Sequence, residues 1–305
     1  MPTDYVEPPM APSPDVSSVV VRGLATSVLT WEPAPGAPAT GLTVLLLHGF
    51  QDAAATFDGL AEPLAAVGHR VVAPDLRGFG DTAAVPASGY YHFPDYVADV
   101  RALVARLAAP RLAIVGHSMG GTIACMVAGL GIGAPERLVL LEGLGPPAQP
   151  AEGALDRFRA WLAGLDAVEA RPRHRTLSSL DEAVERLRAN HPGVPVEVLR
   201  TRAPLLTRPV EGGRIAWKFD PLHRTTAPLP FMVEAFASFL DGIACPTLVV
   251  GGGPMGYHPE DEAARVARIR DARTLDLPTA GHMMHWTAAA ELGAAIVAFL
   301  AEAPG

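Results

Sequence analysis

A serine flanked by glycines is the first feature of this sequence that could do chemistry. Ser118 lies in the run Gly116-His-Ser-Met-Gly120, after an apolar stretch from Leu112 to Val115 and before a helical pattern that starts at Thr122. Small residues two positions before and after the serine let the backbone turn sharply from a strand into a helix. The pattern predicts a nucleophile elbow that presents the Ser118 hydroxyl above a sheet.

His282 is the histidine best placed to activate this serine. A serine hydroxyl is a weak nucleophile until a neighbouring base takes its proton. His282 follows a short predicted strand, Leu275 to Leu277, and precedes a terminal helix that begins near Thr287. His285 is the rival, but it lies nearer the helix start, where lining the pocket or capping the helix is the favoured role. We therefore predict His282 as the general base.

The carboxylate that would orient His282 has three candidates. Glu142 directly follows the apolar run Leu138 to Leu141, so it stands where a strand ends. The loop after a second apolar run, Thr247 to Val250, carries Glu260 and Asp261, but no acid lies near its start. A carboxylate at the end of an apolar strand is costly to desolvate without a partner. The prediction is Glu142, with Asp261 and Glu260 as alternatives.

Two backbone amides are placed to stabilise an oxyanion. His48-Gly-Phe50 follows the apolar run Leu42 to Leu47, where an N–H group facing the elbow would be required. A helix that starts after Ser118 also directs N–H groups toward an anion formed at its N-terminus. The N–H groups of Phe50 and Met119 are therefore the predicted oxyanion hole. His48 itself is predicted to bond the backbone of its own loop.

The remaining motifs favour neither a cofactor nor a metal. The run from Asp75 to Gly80 contains an Asp, an Arg and two glycines, a composition typical of a stabilised turn. The glycines around Ser118 form neither a dinucleotide-binding pattern nor a phosphate-binding loop. The cysteines and the histidines of the central segment lack the spacing of a zinc site: Cys125, Cys245, His174, His191 and His223. Both cysteines are predicted to be buried free thiols.

Apolar runs of strand length alternate with helical patterns along most of the chain. Beyond the runs already named, strand-like segments lie at Ser18 to Arg22, Ser27 to Trp31 and Val71 to Ala73. Helical patterns cover Ala53 to Val67, Tyr90 to Ala108, Thr122 to Leu130 and Phe231 to Leu240. Continuous apolar strands suit a sheet buried on both faces. The alternation predicts an α/β protein with a parallel, doubly wound sheet.

The chain divides into a Pro-rich arm at 1–15, a core domain at 16–145 and 226–305, and an inserted helical cap at 146–225. Eighty residues without a strand are too many for a loop, and a capping box at Ser179 to Glu182 announces a helix within the insertion. We expect aromatic residues of the cap, with two histidines of the core, to line an apolar substrate pocket: Trp161, Trp217, Phe219, His117 and His285.

Composition excludes several other classes of protein. The net charge is −8 over 305 residues, which argues against nucleic-acid binding. The first 15 residues lack the pattern of a secretory signal, and no apolar run reaches membrane-spanning length. A hydrophobic fraction of 49% can furnish a core. We expect a cytoplasmic monomer or homodimer that acts on a small-molecule acyl substrate, without a membrane or nucleic-acid partner.

Taken together, the motifs around His48, Asp75, Ser118 and His282 resemble those of the α/β-hydrolase superfamily, from about Ser18 to the C-terminal helix. Three further runs resemble the serine hydrolase-like, esterase-type group: Leu141 to Pro146, Phe219 to Arg224 and Gly281 to His285. The resemblance implies an eight-stranded, mostly parallel sheet with a cap after the sixth strand. It also implies Ser118 as nucleophile, His282 as base, and Phe50 and Met119 as oxyanion donors.

The chain departs from the superfamily in one respect. Many members carry the triad acid after the seventh strand, whereas Glu142 corresponds to the arrangement of haloalkane dehalogenases, after the sixth. Dehalogenases and epoxide hydrolases have Asp where Ser118 stands, so those chemistries are disfavoured.

We therefore expect a cofactor-free serine hydrolase that cleaves an ester, thioester or lactone through an acyl-serine. The alternatives are an acyltransferase or macrocyclase on the same scaffold, and a catalytically silent ligand-binding protein.

Overall fold

The computed structural model describes residues 13–170 and 176–303. Within them, eight strands form one sheet: β1 (Asp15–Val21), β2 (Leu24–Trp31), β3 (Leu42–Leu47), β4 (Arg70–Pro74), β5 (Arg111–His117), β6 (Arg137–Leu141), β10 (Thr247–Gly251) and β11 (Ala272–Asp276). Their order across the sheet is β1-β2-β4-β3-β5-β6-β10-β11. The pairs β1/β2 and β2/β4 are antiparallel, and the other five are parallel. The prediction of an eight-stranded, mostly parallel sheet is confirmed.

Helices cover both faces of this sheet. They are α1 (Asp58–Ala66), α2 (Phe93–Leu107), α3 (Met119–Gly129), α7 (Val233–Asp241), α8 (Glu262–Val266), α9 (Met284–Thr287) and α10 (Ala289–Leu300). In β3, Leu45 and Leu47 join the buried cluster that includes α2, α3 and α7, whereas Val44 and Leu46 join the one that includes α1 and α10. Successive side chains of a strand point to opposite faces, so two buried faces explain why the strand is apolar throughout.

The segment between β6 and α7 contains both helices and strands. Its elements are α4 (Ala154–Glu169), β7 (Thr176–Leu177), α5 (Leu180–Asn190), α6 (Val196–Leu206), β8 (Thr207–Val210) and β9 (Arg214–Trp217). The three strands form a separate antiparallel sheet in the order β7-β9-β8. The sequence predicted only helices here, because strands of two to four residues are too short to show periodicity.

The predicted capping box is present at the start of α5. The Ser179 hydroxyl accepts a hydrogen bond from the Glu182 N–H at 3.2 Å, and the Glu182 carboxylate accepts one from the Ser178 N–H at 2.8 Å. The helix packs Val184 and Leu187 into a buried cluster with Met283 and Trp286 of the core. This cluster attaches the inserted segment to the rest of the protein.

Other element boundaries shift by a few residues from those predicted. Residues 1–12 of the predicted arm and His174 lie outside the described residues, and Asp15 already opens β1. The predicted helix from Ala53 begins as a short 3-10 turn, Ala54–Phe57, before α1. Both cysteines are buried and free, as predicted. Among the described residues, no helix is long and apolar enough to cross a membrane.

Candidate active site

Ser118 occupies a strained turn between β5 and α3. Its backbone has φ 51° and ψ −115°, a conformation that a non-glycine residue adopts only when its surroundings enforce it. The Ser118 N–H is held by the Leu141 carbonyl at 2.9 Å. A side chain at Gly120 would overlap the Leu47 carbonyl, and one at Gly116 would come within 2.6 Å of the Gly120 carbonyl. The glycines are therefore needed because the backbones of β3, β5 and α3 meet at this turn.

His282 lies on the loop between β11 and α9 and reaches both other predicted catalytic residues. Its Nε2 is 3.1 Å from the Ser118 hydroxyl oxygen, and its Nδ1 is 2.5 Å from a carboxylate oxygen of Glu142. With the ring proton assigned to Nδ1, the imidazole donates to Glu142 and offers a lone pair to the hydroxyl. A proton on Ser118 can thus move directly to a base whose orientation Glu142 fixes.

Glu142 is buried at the end of β6, next to the loop that follows β10. One carboxylate oxygen accepts a hydrogen bond from the Gly252 N–H and the other from the Tyr257 N–H, each at 2.6 Å. Burial raises the pKa of this carboxyl, but the hydrogen bonds from His282, Tyr257 and Gly252 outweigh it and leave the pKa below the ordinary value. Glu142 therefore stays charged at neutral pH.

The two alternative acids lie elsewhere. Asp261 forms an ion pair with Arg265 at 2.8 Å, and Glu260 is exposed to solvent. A third nearby group is His258, whose Nε2 lies 3.8 Å from Glu142 while its Nδ1 bonds Glu262 at 2.7 Å. The bond with Glu262 raises the pKa of His258.

Phe50 and Met119 carry the N–H groups that are predicted to form the oxyanion hole. Both residues line the same cavity as Ser118, and neither amide donates to a protein acceptor within the described part of the chain. Met119 is the first residue of α3, so its N–H belongs to the positive end of the helix dipole. His48 donates to the Gly49 carbonyl and accepts from the Leu76 N–H, as the sequence predicted for a structural histidine.

Asp52, His117 and His285 form a second, fully buried cluster behind this site. The His285 Nε2 lies 2.9 Å from Asp52, and the His117 Nε2–H donates to the His282 carbonyl at 2.9 Å. Burial, followed by the neighbouring His285 and His282, lowers the pKa of His117 well below its usual range. Ligand-type atoms of the three residues lie within 4.8 Å of one another, and the buried Nδ1 atoms of His117 and His285 have no hydrogen-bond partner among the described residues. The cluster supports the loop that carries His282.

A cavity of about 460 Å³ opens above Ser118. Aromatic residues and prolines from two segments form much of its wall: Tyr90, Tyr91, Phe93, Pro94, Pro228, Pro230 and Phe231. Arg157, Gln149 and His223 are polar residues of the same wall. The consecutive aromatic residues at 90–93, which lead into α2, are the signal in the sequence that could have indicated this wall.

The predicted pocket residues do not line this cavity, and that prediction is wrong. His117 and His285 are enclosed in the cluster behind the site. Trp161 packs edge-on against Tyr90, with ring centroids 5.5 Å apart, so Tyr90 is the residue that faces the cavity. Trp217 stacks on Phe219 at 6.2 Å, and Phe219 pairs with Phe79. These aromatic side chains stabilise the cap and its junction with the core instead.

A buried, mostly parallel sheet that presents a serine on a strand-to-helix turn defines an α/β-hydrolase type of enzyme. Residues 43–289 match the family model described as "alpha/beta hydrolase fold". The chain belongs to this family, and the protein is a hydrolase.

Three similar proteins carry hydrolase, hydrolase-like or thioesterase names. The chain is 36% identical over 191 residues to "Serine hydrolase-like protein" of Danio rerio, a match that covers 60% of this chain and only 55% of that relative. It is 30% identical over 258 residues to "3-hydroxybutyrate-oligomer hydrolase" of Cupriavidus necator, covering 81% of this chain and 84% of the relative. The solved thioesterase domain from the curacin biosynthetic pathway is similar at a TM-score of 0.81 and 28% identity, covering 94% of this chain and 100% of that domain.

Proposed function

We propose that this protein hydrolyses carboxylic esters or thioesters of small molecules through an acyl-enzyme formed on Ser118. The observation that carries the proposal is the unbroken hydrogen-bonded path from the Ser118 hydroxyl through His282 to Glu142, with separations of 3.1 and 2.5 Å. An aligned path of this kind lets a base remove the serine proton as the serine attacks.

In the first step, His282 Nε2 takes the hydroxyl proton while Ser118 Oγ forms a bond to the carbonyl carbon of the substrate. The carbonyl π electrons move to oxygen, and the N–H groups of Phe50 and Met119 stabilise the resulting oxyanion. Glu142 stabilises the imidazolium that His282 becomes. In the tetrahedral intermediate, the positive imidazolium of His282 therefore lies between two negative groups, the oxyanion and the Glu142 carboxylate.

In the second step, the imidazolium gives its proton to the leaving oxygen or sulfur as the bond from that atom to the carbonyl carbon breaks. The alcohol or thiol departs and leaves an acyl-Ser118. His282 then removes a proton from water, which attacks the acyl carbon. The Ser118–acyl bond breaks, Oγ recovers the proton from His282, and the carboxylic acid is released.

The cavity favours an apolar substrate of modest size. Its volume of about 460 Å³ and its wall of aromatic residues and prolines suit a short or medium acyl group or a compact alcohol. Similarity to a protein named 3-hydroxybutyrate-oligomer hydrolase and to a thioesterase domain supports the choice of these acyl bonds.

Covalent labelling of Ser118 tests the nucleophile. A fluorophosphonate should add to the wild-type protein, and intact mass should show a single adduct. Ser118→Ala should show none, whereas Ser238→Ala, which removes an exposed hydroxyl bonded to the Ala235 carbonyl, should label like wild type. Absence of labelling on wild type would favour a ligand-binding protein and overturn the proposal.

Product analysis separates hydrolysis from acyl transfer. Short p-nitrophenyl esters and acyl thioesters should yield free acid as the main product in water. Addition of an alcohol or amine acceptor should leave most product as acid. Partition of most of the acyl group to the acceptor would assign the site to an acyltransferase or macrocyclase instead.

A further inference from the structure

Tyr257 presents an accessible aromatic ring to the cavity beside the proposed base. The residue lies in the loop that follows β10, lines the cavity above Ser118 and is 37% exposed. Its ring meets the imidazole of His282 edge-on, with centroids 5.9 Å apart. By contrast, Tyr91 and Tyr96 of the same cavity wall are at most 8% exposed. The exposed part of the Tyr257 ring is therefore available to a bound molecule.

Backbone contacts fix the position of this ring relative to the catalytic residues. The Tyr257 N–H donates to the Glu142 carboxylate at 2.6 Å, and the His282 N–H donates to the Met255 carbonyl, two residues earlier in the same loop, at 3.3 Å. The loop that carries Tyr257 is thus bonded to both the proposed acid and the proposed base. A binding group that is already in place loses little conformational entropy when a ligand binds.

The proposed reaction places the leaving group on this side of the site. The His282 Nε2 lies 3.1 Å from the Ser118 hydroxyl oxygen, and the imidazolium gives its proton to the leaving oxygen or sulfur. That atom must therefore come within hydrogen-bond reach of Nε2. The atoms attached to it extend past His282, next to which Tyr257 lies. The leaving group is thus the part of the substrate closest to this ring.

The chemistry of the ring determines which leaving groups it favours. Burial raises the pKa of the Tyr257 hydroxyl above its ordinary value, so the side chain is neutral at physiological pH and offers an uncharged ring. Aromatic rings attract one another in offset or edge-on arrangements, beyond the gain from the area that they bury. An aromatic leaving group would cover this ring, whereas a small polar one would leave it in water.

We propose that Tyr257 is a specificity-determining residue for the leaving group, so that esters or thioesters of aromatic alcohols or thiols are preferred to those of small polar alcohols. This inference rests on the proposed function and names its substrate class on the leaving-group side. The preference arises because the ring contacts the leaving group while the proton from His282 is transferred to it, so the contact lowers the barrier to acylation of Ser118.

Two esters of one acid test this preference directly. Benzyl butyrate and 2-methoxyethyl butyrate have alcohols of similar acidity, and both form the same acyl-Ser118. The kcat/KM of each ester is measured by titration of the released acid and divided by its rate constant for hydroxide-catalysed hydrolysis. For the wild-type protein, the corrected value of the benzyl ester should exceed that of the 2-methoxyethyl ester by about five- to tenfold. Equal corrected values would overturn the inference without any variant.

Three variants assign the preference to the ring of Tyr257. Tyr257→Ala removes the ring and should lower the ratio of the benzyl to the 2-methoxyethyl ester by about three- to tenfold. Tyr257→Phe keeps the ring and should retain the wild-type ratio. Phe158→Ala, at a ring that is 42% exposed but packs on Trp161 outside the cavity wall, should also retain it. An unchanged ratio in Tyr257→Ala would contradict the assignment.

The ratio separates leaving-group binding from damage to the catalytic residues. A displaced Glu142 or His282 would lower both kcat/KM values by one factor and leave their ratio unchanged, so a uniform loss in Tyr257→Ala also refutes this role. If Ser118 is labelled and both esters are cleaved equally well, only the role of Tyr257 is refuted. If neither ester is cleaved and the fluorophosphonate does not react, the proposed function fails, and the role of Tyr257 fails with it.

Discussion

Replacement of Glu142 by Gln tests the proposed acid most severely, because the carboxylate is surrounded only by donors. Its oxygens accept from the Gly252 and Tyr257 N–H groups, and one of them also lies 2.5 Å from His282 Nδ1. A Gln side chain has one acceptor oxygen and one NH₂ donor. Whichever way the amide turns, the NH₂ group faces a backbone N–H, so one buried hydrogen bond becomes a clash.

The expected loss of activity follows from the charge. Glu142 and the His282 imidazolium attract each other by about 4 kcal/mol if their charges are ~4 Å apart at an effective dielectric constant of ~20, which is a factor of roughly 10³ in rate. If the NH₂ group faces His282, the ring must move its proton to Nε2 and cannot act as a base. We expect kcat/KM to fall by about 10² to 10⁴ in Glu142→Gln, and the free energy of unfolding to fall by ~1–3 kcal/mol.

The assay compares three variants on one short p-nitrophenyl ester, with urea unfolding as a check on stability. Asp261→Asn removes the other candidate acid but leaves the catalytic contacts in place, and Glu260→Gln changes only an exposed group. Both should retain at least about a third of wild-type kcat/KM, since neither side chain contacts His282. If Asp261→Asn loses activity by orders of magnitude while Glu142→Gln does not, the assignment of Glu142 is refuted.

Two further predictions concern the packing behind the nucleophile. Gly120→Ala should reduce the free energy of unfolding by ~1–3 kcal/mol or prevent folding, because its methyl group would overlap the Leu47 carbonyl. The control Gly153→Ala, which has open space around it, should leave the free energy of unfolding in urea unchanged. Equal stability of the two variants would contradict the packing described for Gly120. Burial raises the pKa of Asp52, but His285 outweighs it and the pKa is lowered. The charged Asp52 therefore contributes fully to the free energy of unfolding at pH values above the pKa of an unfolded Asp, near 4. This contribution is lost as the pH falls through the lowered pKa of the folded protein. Unfolding free energies from pH 6 to 3 should fall more steeply for wild type than for Asp52→Asn, and parallel curves would exclude this role.

The fold was predictable because its signals are local. Strands β3, β4, β5, β6 and β10 each contain an apolar run, and the tight turn at Ser118 requires glycines at fixed positions in the sequence. Both signals depend on a few neighbouring residues. The fold class and the inserted segment after β6 could therefore be predicted without knowledge of any long-range contact, whereas the count of eight strands came from the resemblance to the α/β-hydrolase superfamily.

The cavity wall could not be predicted in the same way. A bulky aromatic residue in a cap helix is equally suited to the cap interior and to a substrate pocket, and only packing decides between them. Trp161 lies behind Tyr90 because α4 packs against the chain just before α2. The three cap strands pair residues far apart in the sequence, such as Thr176 with Ala216, and no periodicity over two residues could have indicated that pairing.

The location of Glu142 after β6 has a geometric explanation in the register of the sheet. Strands β6 and β10 are parallel neighbours, and Leu141 pairs with Val250, so the residues that follow each strand emerge side by side. An acid after either strand could therefore approach the same histidine. In this chain the loop after β10 contributes glycines instead, and a side chain at Gly252 would come within 2.8 Å of the Glu142 carboxylate, while one at Gly256 would overlap it. The glycine-rich loop and the acid on the adjacent strand are thus two parts of one arrangement: the absence of side chains after β10 leaves the space that Glu142 fills, and the freed backbone N–H groups keep its carboxylate charged.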